Sequence, residues 1–256
     1  MSHSLSQTPS RDGYWFEHLN DDIALERHGN QVRLARFQPP WLVVDQTIAT
    51  LIISGGWPGR LWRARVTELG DMSGLVANPG YWRAAAMELL EELPLSVLFG
   101  AHGERVVALL EQIQALSRAQ AECLAANLDP DAGHAYGRAW LRWSEAQGQQ
   151  RSTPADDWDG TLAAPSARGK DKSPIHSGFL LVHDQLRRRA LALDGDQAIV
   201  IETDEDGETE EMLAPLWQGV SDALLYAAMA QGAPQYVDAG DEAALMRAWR
   251  ACYGQR

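Results

Sequence analysis

Lysine is nearly missing from this chain. Of 22 basic residues only Lys170 and Lys172 are lysine, which leaves 20 arginines. Positive charge is also in deficit overall, with 35 carboxylates against those 22 cations and a formal net charge of -13. A nucleic-acid backbone is therefore a poor partner for the protein as a whole, because binding it needs a cationic footprint. Cysteine is scarce too. Cys123 and Cys252 are the only two, and neither sits in a C-x-x-C pair, so zinc ribbons and dithiol redox motifs are excluded. Each falls in a helical pattern, where a buried free thiol is the expectation.

Long apolar runs are missing as well. The most apolar stretch, Trp41 to Ser54, is too short to span a bilayer and contains Asp45 and Gln46. Met1 to Gly13 is polar and lacks the apolar segment of an export signal. These absences together predict a cytoplasmic protein with no membrane association. Phosphate and nucleophile motifs fail in the same way. Gly169-Lys170 lacks the upstream glycine and the following hydroxyl of a P-loop, and no G-x-G-x-x-G follows a strand. Ser54-Gly55-Gly56 and Ser177-Gly178 do not make a nucleophile elbow. The reading is of no catalytic residues, no metal ligands and no cofactor.

What is present is core material. Hydrophobic residues make up 45% of 256, and ten tryptophans run along the whole length, enough to bury a large interior. Periodicity predicts mainly helix. Trp15, Phe16, Leu19 and Ile23 have helical spacing over 14–25, and Trp41, Val44, Ile48 and Ile52 share a face after Pro39 and Pro40. Asn78-Pro79 is a good helix start, with Trp82, Ala86, Leu89 and Leu93 as its inner stripe. The stretch 31–37 is ambiguous between strand and helix. A long helix is predicted over 103–128, and others over about 130–147, 174–193, 211–230 and 241–253. The predicted fold is a mainly α, multi-helix bundle with a minor β-hairpin or short sheet near 197–212, where Ile199, Val200 and Ile201 are β-branched. The domain reading is a helical core over 1–148, a long polar loop over 149–173, and a C-terminal helical part over 174–256 packing on the same core.

The acid cluster is the feature that most needs an explanation. Nine carboxylates lie between Asp194 and Glu211 with no lysine or arginine among them. Like charges this dense repel, and folding alone gives no reason to group them. An EF-hand frame can be tried, with Glu202, Asp204, Asp206, Gly207 and Glu210 at positions one, three, five, six and nine. It fails at position twelve, which is Leu213 instead of the bidentate Glu. A hairpin around Asp206-Gly207 is the other local reading, and its register sets Glu205 against Glu208 and Glu202 against Glu211. Directly opposed carboxylates destabilise such a hairpin unless something basic lies against it.

The function expected from these residues is that of a non-enzymatic acidic binding protein that neutralises or escorts a basic protein partner. Its most concrete form is a bacterial immunity (antitoxin-like) protein occluding a basic toxin site. The expected contact residues are Asp204, Glu205, Asp206, Glu208, Glu210 and Glu211, with Trp158 and Trp217 as aromatic anchors. The alternative is a helical enzyme with a dispersed site built from His176, His183 and Glu88, with Gly148 to Ser173 as a lid. A subunit of a larger assembly is a third reading.

Overall fold

The structure is a computed structural model that describes residues 10–18, 23–48, 51, 53, 57–75, 80–146, 176–203 and 207–254, without the side chains of 144 and 176–180. The predicted polar loop over 149–173 lies outside the described residues. Contacts divide the chain into two compact units, Met1–Pro94 and Leu95–Arg256.

The first unit overturns the mainly α, all-helical expectation. It contains β1 (Asp12–His18), β2 (Leu25–His28), β3 (Gln31–Leu34), β4 (Leu42–Asp45), β5 (Gly59–Leu69) and β6 (Tyr81–Leu93). Strands β6, β4, β1 and β5 pair in that order, and β5 returns to β6, which closes a four-stranded antiparallel barrel. The β2–β3 hairpin attaches to β6 beyond the end of β4, through Gln31↔Glu88 to Arg33↔Ala86. The three segments predicted as helices at 14–25, 41–52 and 79–93 therefore supply β1, β4 and β6.

The reason is clearest in β6. Its Ala-Met-Glu-Leu composition favours helix by a few tenths of a kcal/mol per residue. In the fold β5 pairs along one edge of β6, and β4 and β3 share the other. Pairing on both edges outweighs that local preference. Register shifts between β5 and β6 leave Leu90, Thr67 and Ala85 as extra residues. Each bulge breaks the two-residue period and sharpens the twist needed for closure. Ala84, Ala85, Met87 and Leu89 are consequently all buried, a mixed spacing that imitates a helical stripe. Ala84, Met87 and Leu89 join Trp15, Val32, Leu34, Leu42, Val44, Ala64 and Val66 in the barrel core. Closure between β1 and β4 is tight: a Cβ on Gly13 would lie 2.3 Å from the Asp45 carbonyl oxygen.

The second unit is helical, as expected, with one hairpin. A 3-10 segment (Leu95–His102) leads into α1 (Gly103–Gln114), α2 (Arg118–Ala126), α3 (Ala132–Ala146) and α4 (His176–Asp194). Strands β7 (Ile199–Thr203) and β8 (Thr209–Leu213) follow, then α5 (Pro215–Gly232) and α6 (Ala239–Tyr253). The helix predicted over 103–128 is broken in two. Ser117 caps α2, its hydroxyl accepting from the Gln120 N–H while Gln120 Oε1 accepts from the Ser117 N–H. This capping box satisfies donors that a new helix start would otherwise leave unpaired.

Helix α5 is apolar on almost every side. Trp217, Val220, Ala223, Leu224, Ala227, Ala228 and Met229 are buried, as expected for a helix surrounded by others, and α1, α2, α3, α4 and α6 all pack on it. Arginines tie the rim, with Arg138 bonded to Asp241 and Arg247 to Asp129. The cysteines are not free thiols. Cys123 of α2 and Cys252 of α6 form a disulfide with an S–S distance of 2.07 Å, because α2 and α6 pack side by side.

Candidate functional site

The chain leaves α4 at Asp194, turns through Gly195 at φ 57°, and enters β7 after a short 3-10 segment. Residues β-branched at three consecutive positions, Ile199 to Ile201, then favour an extended path. The β7–β8 register is regular, from Ile199↔Leu213 through Glu202↔Glu210 to Thr203↔Thr209. It differs by one residue from the register predicted for a two-residue Asp206-Gly207 turn, so Glu202 faces Glu210 and not Glu211. The like-charge opposition foreseen in the sequence is still present, with a different partner. Asp204, Glu205 and Asp206 lie outside the described residues.

One further bond sets which backbone groups face where. The Ala214 N–H donates to the Ala198 carbonyl at 2.8 Å, one step beyond the ladder in the same register. Hydrogen-bonded and non-hydrogen-bonded pairs alternate in an antiparallel ladder. Val200 and Glu202 therefore bond inward to β8, and Ile201 and Thr203 turn their N–H and C=O groups to the outer edge; Ile199 turns only its C=O there, since its N–H donates to the Asp196 carbonyl.

Both faces of this hairpin are exposed over most of its length. Ile201 is 69% exposed, and the directly opposed pair Val200 and Met212 is 36% and 38% exposed. Glu202, Glu208 and Glu210 are exposed around them. The nearby arginine triplet is mostly engaged elsewhere. Arg187 bonds Glu211, Arg188 pairs with Asp184 at 3.1 Å, and Arg189 donates to the Leu116 carbonyl at 2.7 Å. Through Arg187 the triplet meets Glu211 of the hairpin.

The other predicted residues are placed differently. Trp217 is 1% exposed, and its Nε1 donates to Asp194 Oδ2 at 2.8 Å, which makes it a core residue. Trp158 lies outside the described residues. His176 opens α4, and His183 is half-buried on the same helix. Burial and the neighbouring Arg187 hold the His183 imidazole below its ordinary pKa. Glu88 belongs to β6 of the first unit, where it accepts from Asn30 Nδ2 at 3.0 Å. The EF-hand spacing is flanked by two strands, not by the two helices that such a loop joins. Among the described residues no group of three or more His, Cys, Asp or Glu could hold a metal ion.

Two features were not read from the sequence. Asp222 of α5 is buried enough to push its carboxyl pKa up, and Gln218 Nε2 donates to it at 3.0 Å. The first unit carries a groove of about 430 Å³ lined by Arg27, Asn30, Arg60, Trp62, Leu89 and Glu92 among others. Its cations are already engaged. Arg60 bonds both Glu92 oxygens and stacks over Trp62 at 4.5 Å, and Arg27 pairs with Glu17. The β7–β8 hairpin therefore offers the more open chemistry, an acidic surface with exposed apolar side chains. No protein-family model, curated protein or solved structure matches the chain.

Proposed function

We propose that this is a binding protein whose β7–β8 hairpin docks a basic protein partner, most concretely as an immunity (antitoxin-like) protein that covers a basic toxin site. One observation carries the reading: Val200, Ile201 and Met212 stand exposed on a two-stranded sheet among Glu202, Glu208 and Glu210. An isolated two-stranded hairpin is marginal in water. A partner that covers it buries the apolar side chains and meets the carboxylates with cations. Opposed carboxylates at Glu202 and Glu210 weaken the free hairpin and strengthen the complex, which supports recognition over a purely structural role. The charges act mainly on the encounter rate and on register, and the apolar contacts supply affinity. Trp217 is not part of this surface. The disulfide supports an oxidising compartment over the cytoplasm expected from the sequence. No observation among the described residues favours the enzyme or the assembly-subunit reading.

The test uses the product of the adjoining reading frame as the candidate partner. Its association rate is measured at two ionic strengths against the wild type and an E202Q/E208Q/E210Q variant. The variant should keep its fold, associate more slowly and show a flatter dependence on salt, since exposed charges are screened by ions. Equal salt slopes, or no association with the wild type, overturn the proposal.

A further inference from the structure

The geometry of the hairpin points to a specific mode of recognition: we propose that the partner contributes an extended segment, alternating apolar and basic side chains, that adds as a third strand to the outer edge of β7. This rests on the reading of the hairpin as the partner surface and states how that surface is engaged.

The outer edge of β7 presents the N–H and C=O groups of Ile201 and Thr203 and the C=O of Ile199, as the bond from Ala214 to Ala198 and the regular register require; the Ile199 N–H is taken by the Asp196 carbonyl. No further strand pairs with this sheet among the described residues. Natural edge strands are defended by Pro, Lys, inward-pointing charge or bulges. Strand β7 has the sequence Ile-Val-Ile-Glu-Thr and no register shift, so it carries no Pro, no Lys and no bulge. Strand β8 is better covered. Its Leu213 is buried and its Glu211 is bonded by Arg187 of α4. The undefended edge is therefore that of β7, with Ile201, 69% exposed, at its centre.

The occupant follows from the two faces. A strand side chain directly opposite Ile201 lies on the face of Ile199, Ile201 and Thr203, where an apolar group gains contact. The alternate side chains lie on the face of Glu202 and Glu210, where a cation is favoured. The two-residue period of a strand thus selects an alternating apolar and basic sequence. A second copy of this chain is a poor occupant, because two molecules of net charge -13 repel each other.

The probe is an acetylated, amidated eight-residue peptide that alternates valine and lysine, added to the full-length protein. Binding should perturb and protect the amides of Ile201 and Thr203 in NMR spectra, and leave those of Val200 and Glu202 comparatively unchanged. Two N-methylated peptides decide the mode. The added strand is antiparallel to β7, so valine residues opposite Ile201 direct their N–H groups at β7; methylating the valine nitrogens should weaken binding by roughly tenfold or more, while methylating the lysine nitrogens should not. Ile201→Pro removes one outward donor from β7 and should weaken the unmodified peptide similarly, and the N-methyl pair needs no variant that could misfold. Equal affinity for both methylated peptides overturns strand addition. If no peptide binds but the partner still associates with a salt slope that E202Q/E208Q/E210Q flattens, strand addition fails and the surface reading stands. Equal salt slopes for the wild type and that variant instead remove both. Self-association of the free protein that Ile201→Pro abolishes would assign the edge to a second copy and overturn the proposal.

Discussion

Trp217 Nε1 and Asp194 Oδ2 are hydrogen-bonded at 2.8 Å, and Arg118 reaches the same carboxylate oxygen while its guanidinium lies 6.0 Å from the Trp217 ring centroid. The first carboxylate of the acid-rich segment is thus anchored in the helical unit, whereas Glu202 and Glu210 of the hairpin are exposed.

Removing that anchor should be costly. Asp194→Ala leaves the buried indole N–H without its acceptor, so stability should fall by about 1–3 kcal/mol. Asp194→Asn keeps an acceptor oxygen for the indole and should lose less. Urea unfolding of the two variants checks this, and equal losses would mean that the indole bond does not contribute.

The Cys123–Cys252 disulfide closes a separation of 129 residues. Thiol titration in denaturant should find no reactive thiol before reduction and two after it. The Cys123→Ala/Cys252→Ala pair should lower stability by about 2–4 kcal/mol, chiefly through the unfolded chain. Two free thiols in protein purified without reductant would contradict the pairing.

Asp12 provides a pH test of the barrel surface. Arg65 donates to both of its carboxylate oxygens, at 2.7 and 3.0 Å, and the Ser10 hydroxyl adds a bond at 2.6 Å. These bonds, that from Arg65 first, bring the Asp12 pKa down to about 2 from 3.8. A lowered carboxyl pKa stabilises the fold above the ordinary value, and that contribution is lost as pH falls from near 4 through about 2. In Arg65→Gln the Asp12 midpoint should move up toward 3.8, as followed by carboxyl NMR titration. An unmoved midpoint would separate Asp12 from Arg65.

Asp222 has the opposite sign. Burial raises its pKa, against the lowering effect of the Gln218 bond. Its ionisation therefore costs stability, in full above the folded pKa and not at all below 3.8. Asp222→Asn should raise the melting temperature at neutral pH, and the gain should vanish in acid below pH 3.8. A loss of stability at neutral pH would show that the carboxylate has a partner worth more than its desolvation.

How much of this was legible in the sequence differs between the two units. In the second, α3, α4, α6 and the hairpin near 197–212 follow from local periodicity and β-branching, because each keeps one period over its own length. The break at Ser117 was also written there, as Ser117 and Gln120 at capping-box spacing, although a continuous apolar stripe over 103–128 obscured it. The acid cluster was visible as a charge pattern, and so was its need for water or a cationic partner.

Tertiary structure decided the rest. Composition marks β6 as a helix, and only the strands on both of its edges and the bulges at Ala85 and Leu90 make it a barrel strand. The disulfide depends on α2 and α6 packing together, which no spacing between Cys123 and Cys252 reveals. The hairpin register, one residue away from that of a two-residue turn, sets Glu202 against Glu210 and turns Ile201 to the open edge. Trp217 reads as a surface anchor beside the acids, yet helices on several sides of α5 bury it against Asp194. Local propensity and charge act along the chain and can be read from it, whereas pairing, burial and register depend on groups that only folding brings together.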